Sequence, residues 1–129
     1  MPEGAGIGVV SVVIDRWLDG TQRYDAPGES LLVARSLDGG RIVAIGGLTR
    51  CPHVAGAFRV RRFYVAPGAR RQGVAGTLAR QLIDGATRYS TIVTCNARAS
   101  DAAAPFWETL GFVPTDVEGV THRLDVVEP

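Results

Sequence analysis

The sequence predicts an α/β fold: one mixed, mostly antiparallel sheet with helices on both faces. Three observations carry this. Two apolar runs flanking Asp38-Gly39-Gly40 give a hairpin signal, a strand–turn–helix–strand order follows at the centre, and a second hairpin signal surrounds Glu118-Gly119. A meander that runs into a strand–helix–strand crossover mixes both kinds of pairing, because only the crossover can deliver a parallel neighbour.

The elements follow in order. Residues 1–8 are glycine-rich and expected to fray, leaving 9–129 as a single domain. Over 9–18, Val10, Val13, Ile14, Trp17 and Leu18 fall at helical spacing, which predicts a helix stopped by Asp19-Gly20. The β-branched content of the same stretch favours a strand instead. Asp25-Ala26-Pro27-Gly28 is a turn, and strands are expected over 31–34 and 42–48. Gly46-Gly47 weakens the second of these and points to a bulge or a close backbone approach. A loop with Pro52 leads to a strand over 58–65, stopped by Ala66-Pro67-Gly68. From Val74 the pattern turns helical, with Val74, Leu78, Leu82 and Ala86 at every fourth position. A strand over 91–95 precedes a helix over 102–110, with Asp101 as its expected cap and Gly111 as its stop. Residues 112–113 and 120–127 close the sheet as a hairpin.

Composition narrows the function classes. The 129 residues carry 14 basic and 13 acidic side chains, a net charge of +1 that argues against a general nucleic-acid or membrane binder. Every basic residue is arginine, which suits planar and phosphate partners. Cys51 and Cys95 lack metal-type spacing and only His53 and His122 could join them, so no metal is expected and both thiols read as free and buried. Without a signal-like start or a bilayer-length apolar run, the expected location is cytoplasmic.

The chemistry concentrates where the strand over 58–65 gives way to the helix at Val74. The first amides of a helix have no internal acceptor and carry the positive end of its dipole. Gly73, Ala75 and Gly76 keep side chains clear of those amides, while Arg70 and Arg71 add charge, so the junction can cradle a phosphate. It is not a Walker loop, and it lacks the dinucleotide glycine spacing. On these residues alone, an anion site and a merely glycine-rich helix start both stay open.

A resemblance narrows the choice. Arg70-x-x-Gly73-x-Ala75 resembles the Arg/Gln-x-x-Gly-x-Gly/Ala signature of the GNAT superfamily of N-acetyltransferases, and the string Val60-Arg61-Arg62-Phe63-Tyr64-Val65-Ala66-Pro67 looks like the strand before it. Downstream, Cys95-Asn96 and Ala104-Pro105-Phe106-Trp107-Glu108-Thr109-Leu110-Gly111-Phe112 are similar to that family's second motif. The resemblance implies a splayed sheet with acetyl-CoA as cosubstrate in the gap. Main-chain groups of Phe63, Tyr64 and Val65 would then pair with pantetheine. The amides of Arg71, Gln72, Gly73, Val74, Ala75 and Gly76 would hold the diphosphate beside Arg70, and Asn96, Phe106 and Trp107 would line the far side of the arm. It further implies direct transfer of acetyl to a primary amine, on a small molecule or a peptide terminus. Dimers are common among such proteins, which leaves a homodimer open. Members usually open with a strand, and on the resemblance that first strand is here either absent or 7–14.

The chain departs from the family pattern at two places. Trp107 stands where many members carry a tyrosine that protonates the leaving thiolate, and an indole N–H cannot supply that proton. It reads as a core ring or a cofactor-packing ring. No carboxylate lies over 58–65, where many members keep a base, so Tyr64 and His122 stand as the catalytic candidates. His53 is a loop residue, equally suited to substrate contact and to plain exposure. These departures motivate a second reading, an acyl-CoA-binding module of the same fold with weak catalysis.

Overall fold

In the computed structural model, residues 12–16, 26–70 and 73–126 are described. They form strands β1 (Val12–Arg16), β2 (Ser30–Ser36), β3 (Ile42–Arg50) and β4 (Phe58–Val65), then helix α1 (Val74–Ala86) and strand β5 (Ile92–Cys95). Helix α2 (Ala103–Thr109) and strands β6 (Val113–Val117) and β7 (Val120–Asp125) complete the order. One sheet runs β1-β2-β3-β4-β5-β7-β6. All neighbours are antiparallel except β4 and β5, which the α1 crossover makes parallel. The expected α/β fold with a mixed sheet is what forms.

One expected element is corrected. The helix over 9–18 is a strand where it is described, with Val12 opposite Ser36 and Arg16 opposite Leu32. Val12, Val13 and Ile14 lose side-chain freedom in a helix, and pairing with β2 satisfies their backbone instead. An ion pair from Arg35 Nε to Asp15 Oδ2 at 3.2 Å ties the two strands. The expectations for residues 1–8 and for the helix stop at Asp19-Gly20 lie outside the described residues.

The core explains the helix phase. Val74, Leu78, Leu82 and Ala86 are all buried, and with Ala79 they pack on Ala34, Ala44, Leu48, Phe58, Val60 and Val93. Trp107 of α2 and Phe112 join the same cluster, so both helices feed one core. A smaller cluster of Cys51, Ala57 and Val120 packs separately. Thr94 links to it by donating from Oγ1 to Cys51 Sγ at 3.3 Å. Both cysteines are free and buried, as expected.

Helix α2 stops at Gly111 as the sequence suggested but starts by a different means. Ala102 occupies the N-cap without a side-chain hydrogen bond, so Asp101 does not cap it. Pro105 is tolerated because an amide in the first turn would lack a helical acceptor anyway. At the other end Gly111 has φ +99°. Its N–H donates to Glu108 at 3.0 Å and that of Phe112 to Trp107 at 3.2 Å. This is a Schellman stop, and the Trp107–Phe112 ring contact at 5.2 Å is the apolar pair that accompanies it.

A bulge in β4 sets up everything that follows. Gly47 pairs with Arg61 and Ile45 with Tyr64, so two steps on β3 meet three on β4. The extra residue sits at Arg62-Phe63 opposite Gly46, and Arg62 takes φ +54°. One inserted residue flips the side-chain alternation. Phe58 and Val60 therefore point into the core before the bulge, and Phe63 and Val65 after it. Gly46 makes room for this: a Cβ there would lie 3.0 Å from Phe63 Cδ2 and 2.8 Å from Leu82 Cδ1. The glycine pair thus marks both a bulge and a close approach.

Candidate functional site

Strands β4 and β5 pair only at Phe58–Val93 and Arg59–Thr94. From Val60 onward the β4 edge that faces β5 has no strand partner among the described residues, although its other edge stays paired with β3 as far as Val65. Unpaired strand edges are templates for an added extended chain. The wedge between the strands opens into a cavity of about 600 Å3. Phe63, Tyr64 and Val65 form one wall, Asn96, Phe106 and Trp107 the other, and Arg70 and Ala75 stand at the mouth.

The mouth leads to the N-terminus of α1. Gly73 is its N-cap, with φ +81°, no side-chain cap and no acidic residue in the first turn. No described residue beyond its chain neighbours lies within 4 Å of where a Cβ on Gly73 would sit. Thr77 N–H is the first to reach back, donating to Gly73 O at 3.1 Å, which leaves the amides of Val74, Ala75 and Gly76 without helical acceptors. Their positive end is uncompensated by the chain itself. Arg80, one turn on, folds back so that its Nη1 lies 3.2 Å from the position of a Cβ on Gly76. Arg70 Nε donates to Val65 O at 3.0 Å and its guanidinium stacks 5.6 Å from the Tyr64 ring centre. Arg71 and Gln72 lie outside the described residues.

The floor of the wedge is aromatic. Trp107 is buried and packs edge-on against Phe63 and Phe106 at 4.9 Å each. Its ring is at once core and cavity wall, so both readings of Trp107 meet in one position. Tyr64, by contrast, is 53% exposed, with its ring on the cavity. His122 is buried on β7 and does not line the wedge. Its Nε2 sits 2.8 Å from Glu108 Oε2 and its Nδ1 2.9 Å from Thr121 Oγ1, a chain that ties β7 to α2. His53 lies over Gly119, where a Cβ would collide with its ring.

Several site residues escape motif reading. Arg62, Cys95 and Ser100 line the wedge, as do Ala99, Ala102 and Ala103 of the β5–α2 connection. Arg62 and Cys95 stand inside the family-like strings without a role of their own, and no signal in the sequence singles out the others. A second cavity of about 300 Å3 adjoins the wedge and is lined by Arg59, Arg61, Thr94 and Gly119 besides four shared residues. Among the described residues neither lining contains a carboxylate or a histidine. Burial pushes the Cys95 thiol up to about 12, so at neutral pH it is a packed neutral group rather than a nucleophile. Among the described residues no cluster of three or more His, Cys, Asp or Glu could hold a metal, and no helix is long and apolar enough to cross a membrane.

Known proteins can be set beside this geometry. The sequence profile of the acetyltransferase (GNAT) domain matches residues 16–128. No curated protein sequence matches the chain. A proposed acetyltransferase from Exiguobacterium sp. 255-15 superposes with TM-score 0.79 at 24% identity, covering 89% of this chain and 93% of its own. A GNAT family acetyltransferase from Elizabethkingia anophelis, solved with acetyl-CoA bound, gives TM-score 0.69 at 15% identity over 89% and 98%. The yncA protein of Salmonella typhimurium, a proposed acetyltransferase solved with its cofactor acetyl-CoA, gives 0.64 at 17% over 79% and 67%. At these identities the likeness is one of fold.

Proposed function

The chain belongs to the acetyltransferase (GNAT) family, and from that premise we propose that it moves acetyl from acetyl-CoA to a primary amine by direct attack in a ternary complex. The observation that carries the reading is the wedge itself. An unpaired β4 edge runs along it and an open helix N-terminus closes its mouth, which suits a chain bearing amides and a diphosphate. The acetyl-CoA in solved proteins of this fold supports the same cosubstrate here.

When bound, acetyl-CoA supplies an acyl thioester, whose C–S bond breaks as the amine forms the C–N bond. The protein's part is placement. The free main-chain groups of Phe63, Tyr64 and Val65 hold the pantetheine arm, and Asn96 and Phe106 close its other side. The amides of Val74, Ala75 and Gly76 hold the diphosphate, with Arg70 beside them. An unpaired β4 amide next to the bulge polarises the thioester carbonyl. Fixing the amine against that carbon supplies much of the remaining acceleration.

Proton handling follows from what lines the cavities. With no carboxylate or histidine there among the described residues, the amine loses its proton to water. The arginines help, because neighbouring positive charge disfavours an ammonium. Tyr64, exposed on the wedge, is the hydroxyl best placed to protonate the departing thiolate. His122 acts at most through Glu108 and the position of α2. Transfer through an acyl-cysteine is disfavoured by the neutral Cys95.

A second reading, acyl-CoA binding with weak turnover, is favoured by Trp107 in place of a proton-donating tyrosine and by the missing base. Acetyl-CoA affinity measured by calorimetry, with thiol release followed across a panel of amines, separates the two. Micromolar binding with amine-dependent thiol release supports transfer, binding without it supports the module, and no binding overturns both.

A further inference from the structure

Among the described residues the cavity next to the wedge is lined by three cations and no anion. Arg59, Arg61 and Arg62 line it with Thr94 and Gly119, and it shares Val60, Arg62, Cys95 and Asn96 with the wedge. The shared residues sit where β4 and β5 part, so the smaller cavity meets the larger at the point of transfer. Arg59 and Arg61 alternate with the buried Phe58 and Val60 and so face away from the main core, as does Thr94, bonded to Cys51.

We infer that the amine acceptor carries an anionic group, a carboxylate or a phosphate, which Arg59 and Arg61 bind in this cavity. The inference rests on the transfer reading above and deepens it. Arg35 and Arg123 pair with Asp15 and Asp125. Among the described residues no carboxylate pairs with Arg59, Arg61 or Arg62. Arg59 Nε is moreover buried without a hydrogen-bond partner, and so is Thr49 Oγ1 directly across the ladder. An unpartnered buried donor on a cation is costly, and an anion bound to the same guanidinium offsets part of that cost while relieving repulsion within the cluster.

The diphosphate cannot fill this role. Arg59 lies at the closed base of the wedge beside Thr94, and the strand runs on to Val65 before the chain turns to Gly73. Six residues of strand span roughly 20 Å, too far for one diphosphate to reach both ends. A polyamine acceptor is disfavoured by the same cations.

The test uses matched amines with acetyl-CoA: β-alanine against β-alaninamide, 2-aminoethyl phosphate against ethanolamine, and 1,3-diaminopropane as the cation. Thiol release should give kcat/KM at least about tenfold higher for the anionic member of one pair or both, the pair showing whether carboxylate or phosphate is preferred. Arg59→Gln and Arg61→Gln should bring that ratio toward one, mainly through KM, while acetyl-CoA affinity holds and shows that the variants are folded. Arg59→Lys should retain part of the preference. Added salt should reduce it. Equal or better use of the neutral or cationic amines overturns the inference and leaves the transfer reading intact. Binding of N-acetyl-β-alanine and N-acetyl-β-alaninamide to CoA-saturated protein separates the two failures. If no amine reacts but the carboxylate binds in an Arg59-dependent way, the anion site stands and transfer falls. If the two bind alike or not at all, the anion site falls.

Discussion

Replacing Gly73 by Asp and by Asn probes the α1 N-terminus with one charge as the only difference. Both side chains meet the same backbone, φ +81°, a region that Asn and Asp tolerate better than other residues. Neither meets a described residue beyond its chain neighbours within 4 Å of the Cβ position. The carboxylate even favours the apo helix by about 0.3–1 kcal/mol through the dipole. Bound diphosphate reverses the sign. A doubly charged group at ~6 Å is repelled by about 1.4 kcal/mol at the dielectric of water and by about 5.5 kcal/mol at an effective value of 20. A middle figure of ~3 kcal/mol is on the order of a hundredfold in Kd. Calorimetric titration of acetyl-CoA into both variants, with their melting temperatures, measures it. Gly73→Asp should keep the Tm of Gly73→Asn while binding far more weakly, and the gap should narrow as salt is added. Equal affinity of the two variants would refute the placement of the diphosphate at this helix.

Other substitutions test the wedge and its chemistry. Gly46→Val puts a Cβ 2.8 Å from Leu82 and 3.0 Å from Phe63, so it should destabilise by about 1–3 kcal/mol and lower acetyl-CoA affinity through the displaced Phe63; thermal melts and titration check both, and unchanged affinity would detach the bulge from the site. Cys95→Ala should retain turnover and show no loss of a pre-steady-state burst, whereas abolished turnover in a folded variant would restore an acyl-cysteine route. The same thiol makes a stability prediction: folded Cys95 keeps its proton up to about pH 12 while the unfolded chain releases it near 9. Its contribution is thus full below that lower value and is lost as pH rises through the window, by about 1.4 kcal/mol per unit. Cys95→Ala should flatten that slope in denaturant titrations. Finally, kcat/KM should climb about tenfold per pH unit up to the acceptor amine's own pKa, because among the described residues no carboxylate or histidine lines either cavity; a plateau beginning near pH 6–7 would reveal a base on the protein.

Local chemistry made much of this legible in advance. The α1 start at Val74, the β4 limits and the Gly111 stop are all written in short-range signals: a four-residue apolar repeat, a Pro-Gly break and a glycine at positive φ. Motif residues Phe63 to Val65, Arg70, Ala75, Asn96, Phe106 and Trp107 do gather on one cavity. Long-range facts were hidden. The pattern at Val10, Val13, Ile14 and Trp17 suits a helix and a strand alike, and only pairing with β2 decides it. Gly46-Gly47 announced an irregularity without saying that the extra residue belongs to β4. The alignment of Arg59 with Thr94, which sets the base of the wedge and the second cavity, is a register, and no single stretch of sequence carries it.

The account stands on where the cosubstrate lies, and a crystal structure of the protein soaked with CoA tests that most directly. The predicted result is pantetheine lying between β4 and β5 with its amides on the main chain of Phe63 to Val65, and the diphosphate within hydrogen-bonding reach of the amides of Val74, Ala75 and Gly76. Ordered CoA anywhere else, or a β4–β5 gap closed against it, would contradict the account.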